Sequence, residues 1–395
     1  MFDEPVTTWE VDTDFQEPEE HSLIREAIAR ICKDYGRAWF QERVAKGEKS
    51  TELWRMLGDR GFIGLNVDEA YGGAGGGITE LCILCEETAA AGVPLLLLVV
   101  SQAIGATVIS AFGTEDQKSF FLPKLASGEA VMAFAITEPD AGSNSHKIAT
   151  TARRDGDCYV IRGTKTFISG ADEAEWILVV TRTGTDDQGR AALSLMVVDA
   201  DAEGLEKSLI ETVIPAPEKQ WLLHFDDVVV GSERLIGHEN QGLKAVFHGL
   251  NPERITSAAM AIGLGRYALE RACRYARERA VWGVPIGAHQ GLAHPLAEKK
   301  IQLELAALMT RKAAWLFDRG LPAGEAANMA KFSAAEAAIG CIDQAMQVLG
   351  GNGLTVEYGV GDLWPMARLM RTAPVSREMI LNFVAQHSLG LPKSY

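Results

Sequence analysis

The chain has 395 residues, 47% of them hydrophobic and 23% charged, with a formal charge of −15. That length allows two or three domains around a large core, and the acidic balance argues against nucleic acid or an anionic membrane as partner, since both need concentrated Lys and Arg. The longest apolar run, Val93 to Val100, falls far short of the roughly 18 residues of a membrane span. The first residues are acidic (Asp3, Glu4, Glu10, Asp12, Asp14), unlike a signal or transit peptide, so a cytoplasmic, bacterial protein is expected.

From about residue 20 to 130 the period is helical: Leu23, Ile24, Ile28, Ile31 and Cys32 recur at threes and fours, and Leu53, Leu57 and Phe62 continue the pattern. Cys82 and Cys85 form a lone CxxC inside such a pattern, with no second ligand pair, and read as buried helix packing; a reducing cytoplasm disfavours disulfides among the six cysteines. The run Tyr71-Gly-Gly-Ala-Gly-Gly-Gly77 lacks the Gly-Lys-Ser/Thr ending of a phosphate loop and reads as a flexible connection. Segments 93–101 and 104–112 read as two buried helices.

From about 131 to 235 the period changes to that of strands. Cys158 to Arg162, Trp176 to Val180, Ala192 to Val198 and Leu222 to Asp226 are β-like, separated by turns such as Asp155-Gly156 and Asp187-Gln-Gly189. A mostly antiparallel β domain set into a helical protein is expected.

Beyond about 240 helical spacing returns, through 253–280, 296–319, 323–348 and near 376–388. Asn251-Pro252-Glu253 reads either as a cap, N1 proline and acidic first turn, or as a proline kink in a longer helix from Gly242. Leu243, Val246 and Phe247 already repeat at helical spacing, which favours the kink. Gly263-Leu-Gly265-Arg-Tyr-Ala268 nearly matches a dinucleotide fingerprint, but it follows no strand, so close helix packing is expected.

The chemistry-bearing segments are Phe134-Ala-Ile-Thr-Glu-Pro-Asp-Ala-Gly-Ser143, Phe167-Ile168-Ser169-Gly170, Arg279-Ala-Val-Trp282-Gly283 and Gln347-Val-Leu-Gly-Gly-Asn-Gly353. An extended 134–136 backbone can line a planar heterocycle's edge, and Gly142-Ser143 lets chain and ligand approach closely, with a hydroxyl to spare. In order and spacing these segments resemble the acyl-CoA dehydrogenase family over about residues 20–392.

The resemblance implies an α+β fold in three parts: an N-terminal helical domain (1–130), a middle antiparallel β-barrel (131–238) and a C-terminal four-helix bundle (239–395). It implies FAD as cofactor, an acyl-CoA substrate and an electron-transfer flavoprotein as acceptor, with no metal. It places Phe134, Ile136 and Thr137 along the isoalloxazine, and Gly142 and Ser143 beside it, with Ser143 also near the substrate. Phe167 covers one flavin face, followed by Ile168 and by Ser169, whose hydroxyl lies near N5. Arg279 reaches a diphosphate, and Trp282 packs near the adenosine of a neighbouring subunit's FAD. Gln347, Gly350 and Gly351 approach FAD closely, and Ser376 and Glu378 match further flavin contacts. One cofactor shared between subunits implies an oligomer, most often a homotetramer built as a dimer of dimers.

For the base, an ungapped count from the Gly-Gly-Asn-Gly reaches Pro374, where most of the family has Glu. A branch including isovaleryl- and long-chain-type enzymes carries its base on a mid-chain helix, at the position of Glu253. The alternative is that Glu253 pairs with Arg254 or caps a helix. Asn251 and Arg254 match contacts to the coenzyme A end. Pro374 also lacks the N–H that relatives donate to the thioester carbonyl, so another donor substitutes, the register moves to Val375, or activity is low. The apolar stretch around Leu98 suggests an acyl pocket without a polar floor. Two rival functions are a flavin oxidase or monooxygenase on the same fold, and a non-catalytic subunit of a heteromeric dehydrogenase.

Overall fold

A computed structural model describes residues 17–185 and 189–393. The acidic residues 3–14 and most of the expected Asp187-Gln-Gly189 turn lie outside the described residues.

The N-terminal part is helical: α1 (Glu19–Cys32), α2 (Arg37–Lys46), α3 (Thr51–Asp59) and α4 (Ile78–Ala90). Cys82 and Cys85 are buried free thiols on α4, as expected. The glycine-rich connection before α4 is packed rather than loose. A Cβ on Gly73 would lie 2.0 Å from the Val67 carbonyl, and one on Gly77 2.5 Å from an Asp318 carboxylate oxygen. The two helices expected over 93–112 are one continuous run: a π-helical segment Leu98–Ala106 passes directly into α5 (Thr107–Phe112). Nearly every residue of it is buried, Ser101 and Gln102 included, so the sequence shows no period that would mark the wide turns. Then α6 (Glu115–Ser127) leads into the sheet.

The sheet is formed by β1 (Met132–Ala135), β2 (Thr151–Asp155), β3 (Cys158–Ser169), β4 (Trp176–Thr185), β5 (Ala191–Asp199), β6 (Leu205–Ile210), β7 (Gln220–Gly231) and β8 (Leu235–Ile236). Its order is β6-β7-β3-β2-β4-β5-β8 with β1 added at β4. Pairing is mostly antiparallel, but β4 pairs in parallel with both β1 and β2. Four strands escaped the sequence reading: β1, β2, β6 and β8 are short, and β2 (Thr-Ala-Arg-Arg-Asp) is exposed at all but one position.

The C-terminal part holds three long helices: α7 (Gly242–Glu278), α8 (Gln290–Asp318) and α9 (Gly324–Leu349). Between α7 and α8 lies a small hairpin, β9 (Ala280–Val281) with β10 (Val284–Pro285). Two short helices follow, α10 (Trp364–Thr372), which the sequence reading missed, and α11 (Arg377–Phe383). α7 is continuous through Pro252, so the longer of the two alternatives holds. Proline there withholds the N–H that would bond the His248 carbonyl. The two glycines read as helix packing serve different neighbours: a Cβ on Gly263 would stand 2.2 Å from the Glu86 carbonyl oxygen of α4, and one on Gly265 2.7 Å from Leu303 of α8. Glu86 and Glu87 of α4 both bind Arg266 of α7, at 2.6 Å each.

Candidate active site

The segment after β1 is held from within. Within the sheet β1 pairs only with β4, and its Met132 N–H is taken by the Ser101 hydroxyl at 3.1 Å. Phe134 itself is core, so this segment offers backbone rather than an aromatic ring. The Thr137 carbonyl accepts the Thr166 N–H at 2.9 Å. Glu138 turns inward and accepts the Ala149 and Thr150 N–H groups at 2.7 and 2.9 Å and the Lys165 ammonium at 2.9 Å. Lys165 also donates to the Ile136 carbonyl at 3.0 Å. Burial pushes Glu138 up, but Lys165 and the backbone donors outweigh it and leave the carboxyl below its ordinary value. Burial pulls the Lys165 ammonium down to about 8. Sequence reading missed this pair, although Glu138 lay inside the strongest motif.

Beyond this anchor Gly142 and Ser143 are exposed, and nothing of the chain comes within 4 Å of a Cβ placed on Gly142. Phe167 has φ 57° at an irregularity in the β3–β7 pairing, and its side chain is 60% exposed. Positive φ in a bulky residue is an outlier; here it swings an aromatic ring out between the buried Thr166 and Ile168. Such strain concentrates where a ligand is clamped. The Ser169 hydroxyl lies 2.9 Å from Gln220 Nε2, a partner the sequence gave no sign of. An outward flat ring one residue from the Thr166–Thr137 bond suits the π face of an isoalloxazine.

Glu253 lies eleven residues inside α7 (253 against a start at 242), so it caps nothing. Among the described residues no ion pair joins it to Arg254. Arg254 instead donates to the Asn251 side-chain oxygen at 3.0 Å and to the Leu250 carbonyl at 3.4 Å. Glu253 Oε2 is buried without a hydrogen-bond partner. Burial pushes the carboxyl up to about 7, with Arg254 and then Lys331 pulling the other way. Burial also lowers Arg254, against the pull of Glu253.

Pro374 sits in the connection between α10 and α11. Ser376 caps α11, its hydroxyl accepting the Met379 N–H at 3.3 Å, and Glu378 is exposed in the first turn. Leu98 is fully buried at the head of the π-helical segment. Nearby, the buried Glu218 accepts the Leu96 N–H at 3.0 Å, a polar neighbour unforeseen for this apolar stretch. Burial raises Glu218 to about 8, with Glu173 adding to it.

The remaining residues stand on the surface. Arg279 ends α7 and is exposed, as are Gln347, Gly350 and Gly351 at the end of α9. Trp282 and Gly283, with φ 53° and 82°, form the two-residue hairpin turn, and Trp282 is 89% exposed. The turn thrusts the indole outward. Among the described residues no group of three metal-ligating side chains occurs, and no helix is long and apolar enough to cross a membrane.

A β domain that carries an exposed, strained aromatic thus stands between two helical parts, the second of which holds a carboxyl oxygen without a partner. Residues 18–129, 133–228 and 240–389 match the models of the acyl-CoA dehydrogenase N-terminal, middle and C-terminal domains. The chain belongs to the acyl-CoA dehydrogenase family. It is 54% identical over 386 residues to acyl-CoA dehydrogenase FadE12 of Mycobacterium tuberculosis, covering 97% of this chain and 100% of that one. A solved glutaryl-coenzyme A dehydrogenase in complex with glutaryl-CoA superposes with TM-score 0.92 at 30% identity, covering 96% and 98%. A structure described as the electron transferring flavoprotein of Acidaminococcus fermentans gives TM-score 0.90 at 29%, covering 95% and 99%. The protein is an FAD-dependent oxidoreductase acting on acyl-CoA.

Proposed function

We propose that Glu253 is the base in the α,β-desaturation of an acyl-CoA thioester. The observation that carries this is its buried, unpartnered Oε2 on a carboxyl that burial pushes up to about 7. A carboxylate so placed has no protein proton donor to satisfy, and its affinity for a proton matches the working pH. It takes the α-proton, while the β-hydrogen leaves as hydride. FAD, bound along Phe134, Ile136 and Thr137 under Phe167, supplies the hydride acceptor. Ile168, Ser169, Gly142 and Ser143 frame that site, with Ser376 and Glu378 at its far side. Asn251 and Arg254, already bonded to one another, meet the coenzyme A end, with Ser143 and Pro374 towards the thioester and Leu98 in the acyl wall.

Electrons then pass to an electron-transfer flavoprotein, in keeping with the fold shared with the Acidaminococcus structure. The working form is a homotetramer, a dimer of dimers. Ile301, Leu305, Leu308 and Trp315 form an exposed apolar stripe at helical spacing on α8, the kind of patch that a subunit contact covers. The exposed Arg279, Trp282, Gln347, Gly350 and Gly351 suit contact with a neighbouring subunit's FAD. Six free thiols suit a cytoplasmic location.

The test is anaerobic bleaching of the bound flavin by a panel of acyl-CoAs, wild type beside Glu253→Gln. Bleaching that disappears in the variant supports the base assignment. Bleaching in both removes Glu253 from that role.

A further inference from the structure

Lys331 is a lysine where packing alone would place an aliphatic side chain. It lies on α9 among buried alanines and is 2% exposed. Its ammonium donates to the Val375 carbonyl, in the short connection that carries Pro374 and Ser376. Among the described residues it makes no ion pair, and an ammonium buried on these terms is costly unless something nearby uses the charge.

The charged groups around it can be sorted. Glu253 and Arg254 face it from α7, Glu336 from its own helix and Glu378 from α11. Glu336 is committed to Arg371, at 2.6 Å, and to Arg377, at 3.4 Å. Glu378 is exposed and lies 3.8 Å from Arg377. That leaves Glu253, half-buried but with its Oε2 fully covered, as the carboxyl of this group without a cationic partner in contact.

We propose that Lys331 is a positioning residue for the reaction: it ties the 373–376 connection to α9, and its charge joins that of Arg254 in favouring the carboxylate form of Glu253. This rests on the reading of Glu253 as base. Burial lowers the Lys331 ammonium to about 8 and pushes the Glu253 carboxyl up to about 7, so the charged form of each is helped by that of the other. A cation there favours the carboxylate, the form able to accept a proton. The same side chain fixes the Val375–Ser376 peptide plane beside the substrate-facing turn.

The experiment uses the flavin-loaded enzyme with Lys331→Met and Lys331→Arg. The protonated-carboxyl infrared band of Glu253, identified by its loss in Glu253→Gln, is followed against pH beside the kcat/KM profile. In Lys331→Met the band's midpoint and the acid limb should both rise by about one pH unit or more. At neutral pH kcat should fall about tenfold, with KM less affected. Lys331→Arg should restore the midpoint and most of the rate. An unmoved midpoint in Lys331→Met, with flavin retained, overturns the proposal whatever the activity. If Lys331→Met does not fold, Lys331→Gln serves in its place under the same criteria. Should Glu253→Gln still turn over while the band shifts as described, the charge relation stands and the base assignment falls.

Discussion

Lys165 Nζ lies 2.9 Å from Glu138 Oε1 and 3.0 Å from the Ile136 carbonyl, so one buried ammonium holds both the acid and the backbone of the segment that follows β1. Removing one partner of such a pair leaves a buried charge alone and costs about 3–5 kcal/mol. Lys165→Met should lower the melting temperature markedly and weaken FAD binding, whereas Lys165→Met with Glu138→Leu should recover part of the stability but not the affinity. Thermal melts and flavin titration of the three proteins check this; equal loss in the single and double variants would refute it.

Phe167 is strained and exposed, so on the proposed site it would serve ligand binding rather than folding. Phe167→Gly relieves a positive φ worth about 1–2 kcal/mol. The apoprotein should be as stable as wild type or more so, while FAD affinity falls by about tenfold, the loss expected of one aromatic stacking contact worth ~1 kcal/mol or more. Chemical denaturation of apoprotein and equilibrium flavin binding separate the two effects.

Glu253 gives a pH-dependent stability. Its folded value, near 7, lies above its ordinary 4.5. A raised carboxyl binds its proton more tightly when folded, so its contribution is complete below the unfolded value and is lost as pH rises through 7. Glu253→Gln keeps the neutral form at every pH. The variant should therefore match wild type near pH 4 and exceed it at pH 8 by on the order of 1–3 kcal/mol. Melts across that range measure the difference, and a constant offset between the two proteins would contradict it.

Gly263 and Gly142 should respond in opposite ways to a methyl group. Gly263→Ala drives a Cβ to within 2.2 Å of the Glu86 carbonyl, whereas the space at Gly142 is open. The first should cost about 3 kcal/mol or prevent folding; the second should leave the melting temperature within a degree or two. Circular dichroism melts decide it.

What the sequence disclosed was governed by what each residue needs from its surroundings. Phe134 to Ser143 and Phe167 stood out because their order and spacing resemble a known family, and the continuity of α7 was legible because Leu243, Val246 and Phe247 hold the helical period ahead of Pro252. Lys165, Lys331 and Glu218 were not legible. A charged residue reads as solvent-facing unless its partner is known, and their partners lie 27, 44 and 122 residues away. The Leu98–Ala106 segment hid its wide turns because every face of it is buried. The glycine run before α4 looked loose because sequence shows a missing side chain, not the backbone that crowds against it.

The close approach at Gly263 reaches further than local packing. Glu253 stands ten residues from that point (263 against 253), about 15 Å along the α7 axis. Arg266, one turn past Gly263, is moored to Glu86 and Glu87, and Arg25 of α1 joins the same two carboxylates. The head of the same helix is seated as well: Gly242 abuts Ser194 of β5, and Gly249 abuts Val108 of α5. α7 is thus a beam resting on supports at both ends with Glu253 between them, so the C-terminal helices expressed by themselves should keep that carboxyl but lose the alignment that the first two parts of the chain give it.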